Sequence, residues 1–194
     1  MDINLQSLYE LAENTLSERR YIHSKNVAKC ARELALKYGE DPQRAETAGI
    51  LHDITKEFNP ENQLQIIRSG GIILDDILEK TPKLYHAVAG MVYARDTLNI
   101  KDQGILDAIR THTTGAANMS LLSKIIFIAD FISDERDYED VDVMRHESEI
   151  SLENGMRYAL SYVIRDLISK GRTVHPDALA AYNEVILMLD CISK

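Results

Sequence analysis

The chain has little of what secreted, membrane-spanning or nucleic-acid-binding proteins need. Two cysteines, Cys30 and Cys191, are too few for a disulfide framework, and no signal-peptide pattern precedes them, so a reducing cytoplasm is the expected compartment. No apolar run approaches the roughly 20 residues that cross a bilayer, and no membrane partner is expected. Basic residues are outnumbered, 22 against 31 acidic, for a formal net charge of −9. That balance excludes the electropositive footprint of a nucleic-acid-binding protein, so any phosphate must be held by local groups. No Pro/Gly/Ser-rich stretch reads as a linker, and one domain covering residues 1–194 is expected. Sustained period-2 runs, hairpin turn signals, repeats and low-complexity tracts are also missing.

What is present is helical periodicity from end to end, and an all-α fold is the consequence. Leu5, Leu8, Leu11 and Ala12 mark a first apolar stripe; Ala28, Ala31, Leu34, Ala35 and Tyr38 mark a second that stops at Gly39. Asp41-Pro42 offers a cap and a first-turn proline for a third helix that runs into His52-Asp53. Asn59-Pro60 opens a short helix ended by Gly70-Gly71, and Thr81-Pro82 punctuates before the segment carrying His86 and Tyr93. Asp102 caps a helix whose Ile105, Leu106 and Ile109 lead to His112, and Leu121 to Ala129 lead likewise to Asp130. The acidic stretch from Asp134 to Asp142 is expected as a surface loop. A long helix through Leu152, Met156, Ala159, Val163 and Leu167 to Gly171 follows, and a last one starts near Pro176.

Six residues stand in apolar-flanked settings unusual for polar side chains: His23, the adjacent pair His52-Asp53, His86, His112 and Asp130. A lone histidine beside apolar residues is more often a buried hydrogen-bonding residue than a ligand. Six such positions in one chain argue for one metal site. Imidazole and carboxylate without thiolate point to a catalytic first-row metal and away from structural zinc. Four histidines and two aspartates are too many for one open metal, whereas two metals sharing them leave positions for water and substrate. Asp53, whose two oxygens can each face a cation, is the natural bridge. His146 lies in a charged run and is expected in solvent, while His175, in a Gly171–Pro176 loop, is undecided on chemistry alone.

The order His23, His52-Asp53, His86, His112, Asp130, with Gly49-Ile50-Leu51-His52-Asp53-Ile54-Thr55-Lys56 and Leu84-Tyr85-His86-Ala87, resembles the HD-domain phosphohydrolase superfamily. Through to Thr173-Val174-His175-Pro176 the whole chain resembles its YqeK-type branch of symmetrical bis(nucleosyl)-tetraphosphatases. The resemblance implies an HD-type helical bundle with a metal-binding core over about 18–134, completed by C-terminal helices over 140–194. It implies a binuclear centre, iron first and manganese or another divalent first-row metal second. His23, His52, Asp53 and Asp130 would hold one metal, and Asp53, His86 and His112 the other. The substrate would be a dinucleoside polyphosphate, diadenosine tetraphosphate cut to two ADP, with Asp53, Lys56 and Asp130 at the chemistry.

Nucleotide contacts carried over from the same resemblance are His23, Lys56, Thr113, Thr114, Arg136, Arg172, Thr173 and His175. Two other readings remain open at this stage: a nucleotidase releasing inorganic phosphate from a mononucleotide, and a metal-stabilised regulatory module without turnover. A homodimer is likewise left open.

Overall fold

Side-chain caps start most of the helices in the computed structural model, which describes residues 4–192. Asn4 opens α1 (Leu5–Thr15), Ser17 opens α2 (Glu18–Tyr38), Asp41 opens α3 (Pro42–Leu51) and Asn59 opens α4 (Pro60–Ser69). Each cap oxygen accepts from a first-turn N–H that has no intrahelical partner. Gly39 ends α2 at φ 81°, a left-handed conformation that costs glycine little. Then come α5 (Asp76–Glu79), a 3-10 turn over Pro82–Leu84, α6 (Tyr85–Asp96), α7 (Gln103–Thr111) and α8 (Leu121–Ile132). The chain continues with α9 (Val141–Ile150), α10 (Leu152–Ser169) and α11 (Pro176–Ile192). No strand occurs among the described residues, and none of these helices is long and apolar enough to cross a membrane.

Three features depart from the expected elements. The four-residue α5 has no apolar stripe long enough to announce it. The acidic loop ends at Asp140, and α9 occupies residues expected as the loop's end and the start of one long helix. Its buried stripe is Val141, Met144 and Ser148, so one of three inward positions is polar and the pattern reads as solvent-facing. Extended backbone at Ser151 then separates α9 from α10. Finally, Asp130 lies inside α8, not beyond its end.

Small residues set the spacing of the core. The fully buried Ala28, Ala31 and Ala35 of α2 face Ala45, Ala48 and Gly49 of α3. A methyl group built on Gly49 would stand 2.6 Å from the Ala28 Cα, so the two backbones nearly touch there. That approach brings His23, in the second turn of α2, to within 5.1 Å of His52, ring centre to ring centre, at the end of α3. The α6 helix is buried on almost every side, as a helix apolar all round should be, with α4 and α7 packed against it. Helix α8 lies between α2, α7 and α10, which sets Asp130 opposite His23.

Candidate metal centre

The six residues singled out in the sequence meet in one place. His52 caps the C-terminus of α3, His112 caps that of α7, His86 stands in the first turn of α6, and Asp53 opens a run of tight turns after α3. The four histidines and Asp53 are buried, while the Asp130 side chain keeps about 20% exposure and so opens the cluster to solvent.

Each imidazole is oriented by the chain around it. The Nδ1 atoms of His52, His86 and His112 lie 2.7, 2.9 and 2.7 Å from the carbonyls of Gly49, Lys83 and Ile109, each three residues earlier. His23 Nδ1 meets the Glu135 carboxylate, which Ser133 also holds. A carbonyl or carboxylate has no proton to give, so the ring proton lies on Nδ1 and the Nε2 lone pair points inward. The Nε2 atoms of His23 and His52 are 3.2 Å apart, as are those of His86 and His112. Lone pairs that close repel unless a cation lies against them.

Asp53 stands between the two histidine pairs. Its Oδ2 is 3.5 Å from His52 Nε2 and 3.9 Å from His23 Nε2; its Oδ1 is 3.3 Å from His86 Nε2 and 3.5 Å from His112 Nε2. Asp130 Oδ1 closes the first group at 3.1 Å from His23 Nε2. The Asp53 Oδ1 atom is buried with no hydrogen-bond partner. An ionised carboxylate oxygen left so is costly unless a cation faces it. The donor set of imidazole nitrogens and carboxylate oxygens, with no thiolate, fits divalent metal ions.

Electrostatics agree with that fit. Burial would raise the Asp53 carboxyl, but the surrounding imidazoles, His52 foremost, hold it well below the usual carboxylate range. Burial works against Asp130 in the same way and is outweighed by His23, His52 and Arg136. His86 is pushed down to about 3 by burial, so its ring stays neutral, the form that ligates. Burial also lowers Lys56, whose Nζ lies 3.0 Å from His86 Nε2 and 3.8 Å from Asp53 Oδ1.

The HD domain family pattern matches residues 20–133, and every residue of the cluster falls inside that span. The chain belongs to the HD domain family. It is 38% identical to the symmetrical bis(5'-nucleosyl)-tetraphosphatase of Halalkalibacterium halodurans, over 95% of this chain and 98% of that one. To the protein of the same name from Bacillus subtilis it is 33% identical, again over 95% and 98%. A Clostridium acetobutylicum crystal structure, described as a predicted HD superfamily hydrolase involved in NAD metabolism, superposes with a TM-score of 0.93 at 34% identity. That match covers 96% of this chain and 98% of the other.

Around the HD cluster the expected nucleotide contacts divide into two groups. Thr113, Thr114, Arg172, Thr173 and His175 line one cleft of about 610 Å3, together with Lys80 and Lys83. Lys56 and His86 line an adjoining one of about 460 Å3, and the two clefts share Pro82 and Lys83 as a wall. Among the described residues no carboxylate lines either cleft, an unusual local balance in a chain of net charge −9. Arg136 and His23 lie instead at the other end of the cluster, where Arg136 Nη2 donates to Asp130 Oδ1. His175 already has both ring nitrogens engaged: Nε2 with Asp75 Oδ2 at 3.0 Å, and Nδ1 with the Asp177 N–H.

Two residues at the cluster were not singled out from the sequence. Arg20 donates from Nη1 to Asp53 Oδ2 at 2.8 Å, and Glu135 fixes the His23 ring. Arg20 lies three residues before His23, one turn away on the same face of α2, and that spacing is a readable signal. Glu135 comes from a loop 112 residues away in sequence and leaves none.

Proposed function

We propose that this HD domain hydrolyses dinucleoside tetraphosphates symmetrically, diadenosine tetraphosphate to two ADP, at a binuclear centre held by the six residues. Iron is the first expectation and manganese the second, because the imidazole and carboxylate donors suit both. In this reading His23, His52, Asp53 and Asp130 hold one ion, and Asp53, His86 and His112 the other. The observation that carries the reading is the Asp53 Oδ1 without a hydrogen-bond partner among buried imidazoles, in a chain similar over nearly its full length to enzymes of that name. Metal ions held there supply positive charge and water made acidic enough to give hydroxide near neutral pH.

The chain's own groups do the rest. A phosphoanhydride is thermodynamically ready to hydrolyse, but its anionic oxygens repel hydroxide, so catalysis rests on neutralising charge and fixing geometry. Hydrolysis forms one P–O bond from water oxygen to an inner phosphorus and breaks that phosphorus's bond to the central bridging oxygen. The bridging oxygen departs with the second ADP, and the water's protons pass to solvent and product. Lys56, Arg20 and Arg136 stand against the carboxylates and imidazoles of the cluster, where their charges meet the inner phosphates. Lys80, Lys83 and Arg172 extend that attraction along the carboxylate-free clefts, and Thr113 and Thr114 add hydroxyl donors.

The test is product identity. Metal-analysed protein incubated with diadenosine tetraphosphate should give ADP as the only nucleotide product. Equal amounts of AMP and ATP, or inorganic phosphate released from mononucleotides in preference to any action on the dinucleotide, would contradict the proposal.

A further inference from the structure

Symmetrical cleavage poses a problem of register. A tetraphosphate bridging two nucleosides has three anhydride bonds, and holding one nucleoside diphosphate arm sets which of them reaches the cluster while leaving the other arm without contacts. Holding the second, identical arm as well fixes the central bond from both ends and adds contacts that a one-armed substrate cannot make. The carboxylate-free clefts, with Lys56, Thr113 and Arg172, reach the cluster through His86, on the Oδ1 side of Asp53.

The Oδ2 side has a cleft of its own. It measures about 610 Å3, within the range of small-molecule sites, and shares no lining residue with the other two. Its lining offers the chemistry a nucleoside diphosphate needs, with the charge nearest the cluster. Arg20 and Arg136 lie innermost, each donating to a cluster carboxylate. Farther out, Arg19 is exposed and pairs with no acid among the described residues. Ile22, 44% exposed, and Tyr138 supply apolar and aromatic surface. Tyr138 is braced for that role: its hydroxyl donates to the Phe131 carbonyl, and its ring packs on Tyr162 at 5.6 Å. Three carboxylates also line the cleft. Glu135 is occupied by His23 and Ser133, while the exposed Glu18 and Asp137 are acceptors of the kind that ribose hydroxyls need.

We infer that this cleft is the subsite for the second nucleoside diphosphate arm, with phosphates on Arg20 and Arg136, the outer charge of Arg19 beside them, and the base against Ile22 and Tyr138. The inference rests on the symmetrical reading above, and its test separates the two. Diadenosine tetraphosphate and adenosine 5'-tetraphosphate, which has one nucleoside, are compared as substrates for wild type, Arg19→Glu and Ile22→Ser at equal metal content. Both substituted residues are exposed and outside the cluster, so folding is not at stake. The ratio of kcat/KM, two-armed over one-armed substrate, should fall about tenfold in Ile22→Ser, the usual loss for a vacated apolar contact, and at least as far in Arg19→Glu. Calorimetric titration with ADP should fill two sites per chain in the wild type and one in Arg19→Glu. Ratios within twofold of wild type in both variants, or a single ADP site in the wild type, would overturn the subsite while ADP production by the wild type left the functional reading standing. Failure of the wild type to make ADP would remove both.

Discussion

Arg20 Nη1 donates to one oxygen of Asp53 at 2.8 Å, and the other oxygen of the same buried carboxylate has no hydrogen-bond partner. A side chain half satisfied in this way is poor stabilisation for a fold, since a buried charge must be fully paired to repay its desolvation. It makes sense as a group whose missing partner is a cation.

Asp53→Asn separates those two roles. The amide keeps the shape and gives up the charge, so metal affinity should collapse and kcat should fall about 10²- to 10³-fold or more, the cost of losing a transition-state charge stabiliser. Far-UV circular dichroism in excess chelator should show the helical content of wild type kept, with some loss of Tm, because the fold holds the Asp53 carboxyl well below its usual range and Arg20 loses an ionised partner. Loss of the helical content itself would mean that Asp53 is a structural residue.

Gly49 tests the close crossing that brings His23 to His52. In Gly49→Ala the new methyl meets the Ala28 backbone, which has no rotamer to yield, so overpacking should cost about 3 kcal/mol or more. For a chain of this size that lowers Tm by roughly 6 to 12 °C. Metal content should fall as well, since the helices must part where the two histidines meet. A variant that melts and binds metal like wild type would show that the crossing does not set the site.

The two thiols should differ. Burial pushes the Cys30 thiol up to about 12, whereas Cys191 is exposed. At pH 8 a thiol with so high a pKa carries almost no thiolate, and the thiolate is the reactive form. A colorimetric thiol assay of native protein should therefore register one group per chain and two in denaturant. Two fast-reacting thiols in the native state would contradict the packing of α2 against its neighbours.

Much of the fold and cluster was legible because local chemistry reports it. Asp41-Pro42, Asn59-Pro60 and Asp102 start helices through their own side chains, and Gly39 stops one through its own backbone. His23, His52, Asp53, His86, His112 and Asp130 betrayed themselves as polar groups on apolar faces, and the HD resemblance supplied their company. Helix α9 escaped because its inward face includes Ser148, which donates to the Met144 carbonyl and lies against Gly155, so its pattern is not apolar. Glu135 reaches His23 across 112 residues, and the clefts are lined by segments tens of residues apart or more, which no periodicity encodes. Arg20 was one helical turn from His23 and could have been found by spacing alone.

Metal stoichiometry tests most directly the proposal that Asp53 is shared between two metal ions. Chelated protein is reloaded stepwise with iron or manganese under reducing conditions, and bound metal and hydrolysis of diadenosine tetraphosphate are read on the same samples. The account predicts saturation at about two metals per chain, with turnover rising as the second binds, and about one metal per chain with little turnover in His112→Ala. Full activity at one metal per chain, in wild type or in His112→Ala, would contradict it.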